Sequence, residues 1–461
     1  MAAVSRATGP LWAVAAVLLL YAAALTAFSR VTAWPFPLDP IPSLVGLMMT
    51  AGLVFMALPW ALVRARPTVG ALWAMVAVGL LMRLILLGSA PILEIDYFRY
   101  LWDGAALAAG LNPFAVAPAE VLAGQAPEAW RALGKAAGPL LEQINYPHLR
   151  TIYPTVAQSA FALAHLLEPF GLTALRLVLL AAEGLALGLL LLLLKACARA
   201  PLWAALYWWN PLVVKESINS AHMDGLLLPF LLGALLLAAR GRAFWASGLL
   251  ALAAGVKLWP ALLLPSVLRP LLGRWHLLIA AGALFAGITA LLFWPLLASQ
   301  LDRGSGLIAY AQSWERNDAL FGLIRGAITA LLPEHLDAGR LARLVVGIAV
   351  VALAFGLNRT AAPDGRTLVA RALAVTATLF LLSPTGYPWY FLWIAPLLAI
   401  VPVTGLLALT ALLPLYYLRF YFEEGDAFQT IVVWFEFTPV FLLLAWAFLL
   451  RERPGAAAAA R

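Results

Sequence analysis

The chain carries TVGALWAMVAVGLLMRLILLG at residues 68–88 and, five residues later, EIDYFRYLWDG at residues 94–104. The first segment is long enough to cross ~30 Å of hydrocarbon as a helix, and its one charge is Arg83. The second gathers the carboxylates of Glu94, Asp96 and Asp103, the guanidinium of Arg99, and Tyr97, Tyr100 and Trp102. Polar groups at the edge of a bilayer are costly unless they line a cavity. The two segments together therefore read as a transmembrane helix that delivers an active-site stretch to one membrane face.

Working outward, the composition agrees. Soluble domains are roughly 45–50% apolar and about 25% charged, whereas these 461 residues are 64% hydrophobic and 11% charged. Leucine-rich runs recur from end to end. They are continuous and not alternating, which excludes a β-barrel and predicts an all-α polytopic bundle of about 12–14 spans. A single cysteine, Cys197, excludes a disulfide framework. The net charge of +8 comes mostly from short Arg/Lys clusters between helices. That pattern is topology information and gives no support for nucleic-acid binding.

Placing Arg64/Arg66, Lys195/Arg199, Arg240/Arg242 and Arg451/Arg453 in the cytoplasm puts both termini inside and the loops at 90–151 and 298–318 outside. The expected helices include Leu11–Ser29, Pro42–Val63, Thr68–Gly88, Leu172–Leu194, Leu202–Val214, Gly225–Ala239, Leu277–Leu297, Leu344–Leu357, Thr367–Leu382 and Val432–Leu450. Ala243–Leu268 reads as a hairpin of two short helices with its tip at Lys257. Pro154–Leu167 and Ala319–Leu332 are short enough to be interfacial or re-entrant. Residues 1–454 form one transmembrane domain, 89–152 a large extracytoplasmic loop with surface helices, and 455–461 a low-complexity tail expected to be disordered. This topology puts the active site at the extracytoplasmic face of the membrane.

Under this topology Glu94, Asp96, Arg99, Asp103, Glu216, His222, Asp224, Glu315, Arg316, Asp318 and the Lys257 tip fall on one side. Asp96 leaves a helix amid converging aromatics, which makes it the foremost candidate for chemistry. Glu216 and Asn219 are three apart and share a helical face suited to binding hydroxyls. His222-Met223-Asp224 lacks a metal-binding helical spacing, so a capping or hydrogen-bonding role is expected and no metal ligands are assigned. Lys257 interrupts an apolar hairpin and needs an anionic partner, either a ligand phosphate or a carboxylate. Trp102, Tyr146, Tyr153, Tyr387, Trp389 and Tyr390 suit stacking on sugar faces, against the plainer reading of an interfacial aromatic belt.

Six motifs in order carry a resemblance. They are Asp96 with Arg99-Tyr100-Leu101-Trp102-Asp103-Gly104; Gly110-Leu111-Asn112-Pro113-Phe114; Thr151-Ile152-Tyr153-Pro154; His222-Met223-Asp224; Gly255-Val256-Lys257-Leu258-Trp259-Pro260; and Ser383-Pro384 with Pro388-Trp389-Tyr390. The chain resembles the bacterial integral-membrane glycosyltransferases of the GT-C superfamily, in the family-87-like branch of mannosyltransferase type. Tyr387, Thr155 and Ala105 stand where that pattern more often has histidine, proline and arginine.

The resemblance implies transfer of a hexose, mannose-like, from a polyprenyl-phosphate-linked donor to a glycan, lipid or protein acceptor. It implies a bacterial cytoplasmic (inner) membrane as the location and an acidic residue of the first large loop as catalytic base. Asp96 matches that position, with Glu94 and Asp103 as further catalytic candidates. Arg99, Lys257 and Arg316 are candidates for the donor phosphate. Tyr100, Trp102, Asn112, Tyr153, Glu216, Asn219, His222, Asp224, Tyr387, Trp389 and Tyr390 are candidates for substrate contacts. No cofactor is firmly implied, assistance by a divalent cation is left open, and nothing fixes an oligomeric state. The alternative is a flippase for lipid-linked sugars or another transporter, which Arg83, Arg176 and Glu183, all within expected spans, keep open.

Overall fold

The computed structural model describes residues 2–31, 35–299, 301–302, 304–331, 333, 335–422 and 428–451. The tail 455–461 lies outside the described residues. Three helices lead to the polar stretch: α1 (Ala2–Ser29), α2 (Ile41–Arg64) and α3 (Val69–Leu87). Thr68 closes the start of α3, its hydroxyl accepting from the Ala71 amide at 3.1 Å.

The EIDYFRYLWDG segment folds as α4 (Asp96–Ala108) and packs along the short α5 (Thr155–Leu167). The approach is close because Gly104 lacks a side chain. A Cβ there would lie 2.4 Å from the Phe161 carbonyl oxygen. Between α4 and α5, the short helices Pro118–Leu122 and Glu128–Ala137 close a small core of their own around Trp102 and Trp130. The surface helices expected in the loop are therefore present.

The chain continues through α6 (Leu172–Ala196), α7 (Pro211–Asn219), α8 (Met223–Ala239), α9 (Ala243–Ala254) and α10 (Trp275–Leu297). It then forms α11 (Leu320–Leu331), α12 (Ala338–Leu357), α13 (Gly365–Leu382), α14 (Thr404–Phe420) and α15 (Val433–Arg451). Among the described residues eight helices are long and apolar enough to cross a membrane: α1, α2, α3, α6, α10, α12, α13 and α15. A ninth arises if the bent pair α7–α8 is one span. The expected 12–14 is reached only by also counting the four shorter apolar helices α5, α9, α11 and α14. The all-α polytopic bundle stands, and Lys257 lies at a hairpin tip as expected, between α9 and the turn Trp259–Leu263.

One expectation is corrected. Residues 215–224 were expected as an outer loop following a Leu202–Val214 span. They are instead a buried helical bend of 102° between α7 and α8. Asn210 starts α7 by accepting from the Leu212 and Val213 amides, both at 3.1 Å. Lys215, Glu216, Asn219 and His222 are all fully buried. Lys215 and Glu216 bond each other and Tyr417, Asn219 bonds the stretch before α4, and His222 lies within ion-pair distance of Glu94 and Glu216.

The charges inside the spans are likewise matched. The Arg83 Nε lies 2.9 Å from Glu183 Oε2, and its Nη1 donates to the Gly79 and Trp208 carbonyls at 2.9 and 2.8 Å. Arg176 donates to the carbonyls of Leu87 and Ser89 at 2.8 and 2.6 Å, and to that of Asn219. Buried charges survive in a membrane only with such partners.

Candidate active site

The site is built where α4 begins. Leu93 takes a left-handed backbone conformation (φ 55°) that turns the chain out of the bundle. Ile95, at the capping position of α4, has no polar side chain. Glu94 does that work instead, its Oε1 accepting from the amides of Ile95 and Asp96, both at 2.9 Å. The amide of Asn145 donates to Asp96 Oδ1 at 2.6 Å. Arg99 holds Asn145 in place, since its guanidinium donates to the carbonyls of Asn145, Tyr146 and Leu149 at 3.2, 3.0 and 3.1 Å.

Asp96 lines a cavity of about 620 Å³, a size typical of small-molecule sites. Burial, and then the neighbouring Glu94 carboxylate, push its pKa up to about 6, against the opposing pull of His222, Asn145 and Lys257. Glu94 moves the other way. Burial raises it, but His222, the Asp96 amide and Lys215 hold it below the ordinary range. Two adjacent carboxyls thus sit apart in proton affinity, the pattern that separates a base from a fixed charge.

The cavity has three kinds of wall. One is aromatic, with Tyr100, Tyr153, Tyr310, Trp314, Tyr387, Trp389, Tyr390, Trp393 and Tyr416. Tyr387 stacks on Trp389 at 4.4 Å and 7°, and the Tyr310 hydroxyl lies 2.9 Å from that of Tyr390. A second is hydrocarbon: Phe36, Leu93, Val256, Leu258, Phe293, Leu296, Leu307, Leu379 and Phe420. The third carries charge: Glu94, Asp96, Asp224, Lys257 and Arg419. Lys257 Nζ lies 2.7 Å from Asp224 Oδ1 and 3.9 Å above the Tyr390 ring. Arg419 bonds the Tyr416 hydroxyl and lies over the Phe420 ring at 4.6 Å. No carboxylate pairs with it among the described residues.

Of the residues singled out from sequence, Glu94, Asp96, Tyr100, Tyr153, Asp224, Lys257, Tyr387, Trp389 and Tyr390 line this one cavity. His222 and Glu216 stand behind it, His222 Nε2 lying 3.1 Å from Glu94 and 3.6 Å from Glu216. Asn219 pins the approach to α4, accepting from the Ile92 amide at 3.0 Å and donating to Ser89 Oγ at 2.8 Å.

Five others lie off the cavity wall. Arg99 spends its guanidinium on the three carbonyls above. Asp103 is buried, accepts from Gln158 Nε2 at 3.2 Å and is pushed up to about 6 by burial. Trp102 is buried in the loop's own core against Trp130. Asn112 is exposed and donates to Ser299 Oγ at 3.3 Å. The Arg316 side chain is exposed, while its backbone bridges to Thr385. The sequence reading missed Arg419, Asn145, Tyr310 and Tyr416. Arg419 had a signal in YYLRFYF at 416–422, an arginine among aromatics closing an apolar run. No group of three or more His, Cys, Asp or Glu side chains among the described residues is arranged to hold a metal ion.

Fold and site define a multi-pass helical membrane protein with a cavity that is aromatic and charged at one wall and hydrocarbon at another. The chain belongs to the alpha-(1->6)-mannopyranosyltransferase family, whose N-terminal-domain model matches residues 8–272. That match takes in five of the six motifs read from sequence and bears out the resemblance drawn from them. The alpha-(1->6)-mannopyranosyltransferase B of Corynebacterium glutamicum is 26% identical over 353 residues, covering 69% of this chain and 56% of that protein. The chain thus spans little more than half the length of this relative.

Proposed function

We propose that this chain is a mannosyltransferase that moves mannose from a polyprenyl-phosphate donor to a hydroxyl of a glycan or lipid acceptor, with inversion. The observation that carries this reading is Asp96, a partly buried carboxylate with a pKa near 6 on the wall of a cavity that also offers hydrocarbon, aromatic faces and cations. A donor of this type must keep its tail in the bilayer while its phosphosugar meets a polar acceptor. Hydrocarbon and aromatic walls on one cavity suit both ends.

The acceptor oxygen attacks the anomeric carbon, the bond from that carbon to the phosphate oxygen breaks, and polyprenyl phosphate leaves. Asp96 takes the acceptor's proton. A pKa near 6 keeps it ionised at neutral pH and more basic than an ordinary aspartate. Negative charge builds on the phosphate as it leaves, so a cation placed there stabilises the transition state more than the ground state. Arg419 is the cation best suited to that position, since no carboxylate among the described residues offsets it. Lys257, already paired with Asp224, shapes the sugar end of the cavity. Trp389 and Tyr387 offer stacked faces to the hexose.

Purified protein is incubated with a panel of polyprenyl-phosphate sugars and a mannose-terminated acceptor, and released polyprenyl phosphate is followed by mass spectrometry. Release from the mannose donor, dependent on acceptor, supports the reading; an intact donor throughout removes it. Sidedness is tested with Gly124→Cys in a Cys197→Ser background. Labelling by an impermeant thiol reagent from the extracytoplasmic side alone is expected.

A further inference from the structure

We infer that His222 is a positioning residue, which holds Glu94 so that Glu94 fixes the first turn of α4, from which Asp96 reaches the cavity. The inference rests on the role proposed above for Asp96.

His222 has the burial of a structural group and the neighbours of a functional one. Its side chain is fully buried at the bend between α7 and α8, and it is absent from the cavity wall. Nε2 lies 3.1 Å from Glu94 Oε2, and Glu94's other oxygen receives the Ile95 and Asp96 amides at 2.9 Å. The imidazole is therefore one carboxylate away from the backbone of the proposed base. The anchor is itself anchored. The His222 amide donates to the Glu216 carbonyl at 3.0 Å, and Glu216 is gripped by the Tyr417 hydroxyl at 2.6 Å and by Lys215 at 3.2 Å. Asn219, on the same bend, holds Ile92. Both ends of the segment 92–96 are thus fastened to a single rigid turn.

The other face of the ring points at the cavity's aromatic wall. His222 stacks on Trp389 with centroids 4.0 Å apart and planes 17° apart, and Trp389 in turn stacks on Tyr387. Trp389 covers the imidazole, so a bound sugar meets Trp389 and not His222. One buried side chain therefore sets the spacing between the aromatic wall and the carboxylate. A reacting pair held to a few tenths of an ångström is where such a spacing counts, since a displacement of about 1 Å costs up to ~100-fold in rate.

The charges that face Asp96 are Glu94 on its own segment, His222 on the bend and Lys257 after α9, with the Tyr153, Tyr100 and Tyr416 phenols around them. Facing His222 are Glu94, Glu216 and Asp96. Removing the imidazole takes away a group that pulls the Asp96 carboxyl down, so the acid limb of the pH–rate profile moves to higher pH. Replacing Glu94 by glutamine removes a negative neighbour and moves the limb to lower pH.

The experiment compares His222→Asn and His222→Gln with wild type in the intact protein. Glutamine can bring an N–H to Glu94 where asparagine falls short. His222→Asn is expected to lower kcat by about 10- to 100-fold with the donor KM within about threefold, and to raise the acid limb. His222→Gln is expected to recover most of kcat. Hydrogen–deuterium exchange of the peptide 94–101, without substrate, is expected to quicken in His222→Asn only. A raised KM with unchanged kcat, or exchange equal to wild type, overturns the inference. Should His222→Asn fail to fold, Glu94→Ala decides by the same exchange measurement, because a 94–101 peptide that exchanges no faster than wild type overturns the inference as well. If wild type releases no polyprenyl phosphate, the mannosyltransferase reading has failed, while the exchange comparison still judges the anchoring.

Discussion

Replacing Asp96 by asparagine removes the proposed base and little else. The asparagine oxygen still accepts from Asn145, as Asp96 Oδ1 does at 2.6 Å, and the two side chains have nearly the same volume. Loss of a general base costs roughly 10²–10⁴ in rate, which is about 3–5.5 kcal/mol at 1.36 kcal/mol per tenfold. The structure adds a pH signature. Burial and Glu94 place the Asp96 pKa at about 6 and not at the ordinary 3.8. The ionised form is the active one, so the wild-type rate falls tenfold per unit below pH 6 and levels off above it. An unperturbed aspartate would level off two units lower. The assay is release of polyprenyl phosphate, followed by mass spectrometry between about pH 4.5 and 8. The same raised pKa means that ionising Asp96 costs the folded state, so Asp96→Asn should melt no lower than wild type at pH 7.5. Turnover by Asp96→Asn within threefold of wild type, or a wild-type acid limb near pH 4, would refute the assignment.

Three further predictions follow from neighbouring residues. Asp103 is also raised to about 6 by burial. The unfolded chain therefore loses this proton first, and wild-type stability falls as pH rises from about 4 to about 6, by at most about 3 kcal/mol. Asp103→Asn lacks that loss, so its melting temperature relative to wild type should climb across this window, and its turnover should stay well above that of Asp96→Asn. Arg419→Gln should lower kcat/KM for the donor by about 10²–10³, as loss of a transition-state charge contact does, with melting temperature unchanged; an effect under threefold would move the phosphate site elsewhere. Gly104→Ala should cost about 1–3 kcal/mol by overpacking against the Phe161 backbone, read as a lower melting temperature, and a neutral result would mean that α4 and α5 can separate freely.

Much of the architecture was legible because hydrophobic run length is a long-range signal. Thr68 to Gly88 had to be a span, and α3 occupies Val69–Leu87 with Thr68 as its cap. The place of the cavity that Glu94 and Asp96 line was legible for a similar reason, since carboxylates at a helix exit have few other uses. The bend at 215–222 was not. Lys215, Glu216, Asn219 and His222 look like hydrated loop residues by polarity alone, and only tertiary partners make their complete burial tolerable. Nothing local in the sequence says that Tyr417, some 200 residues away, grips Glu216. Asp103 and Trp102 share a helix with Asp96, but Trp102 is rotated to another side against Trp130, and Asp103, two turns farther along, meets Gln158 beyond the cavity wall.

The same reasoning separates the arginines. In a protein this apolar every buried cation needs an account of its partner, and the account decides what is left for a ligand. Arg83 is matched by Glu183, Arg176 by three carbonyls, and Arg99 by three carbonyls that also secure Asn145. Each is committed to the fold through these bonds, so turning those donors to an anion would first break bonds worth ~1.5–3 kcal/mol apiece. Lys257 is half-committed, with one carboxylate and an aromatic face. Among the described residues Arg419 meets a phenol and two rings, and it opens onto the cavity that Asp96 shares. A phosphate arriving there would gain a charge-assisted bond and displace no carboxylate of the described residues. That difference in prior commitment, more than proximity, is why we assign the proposed leaving-group role to Arg419 and not to the arginine three residues after the proposed base.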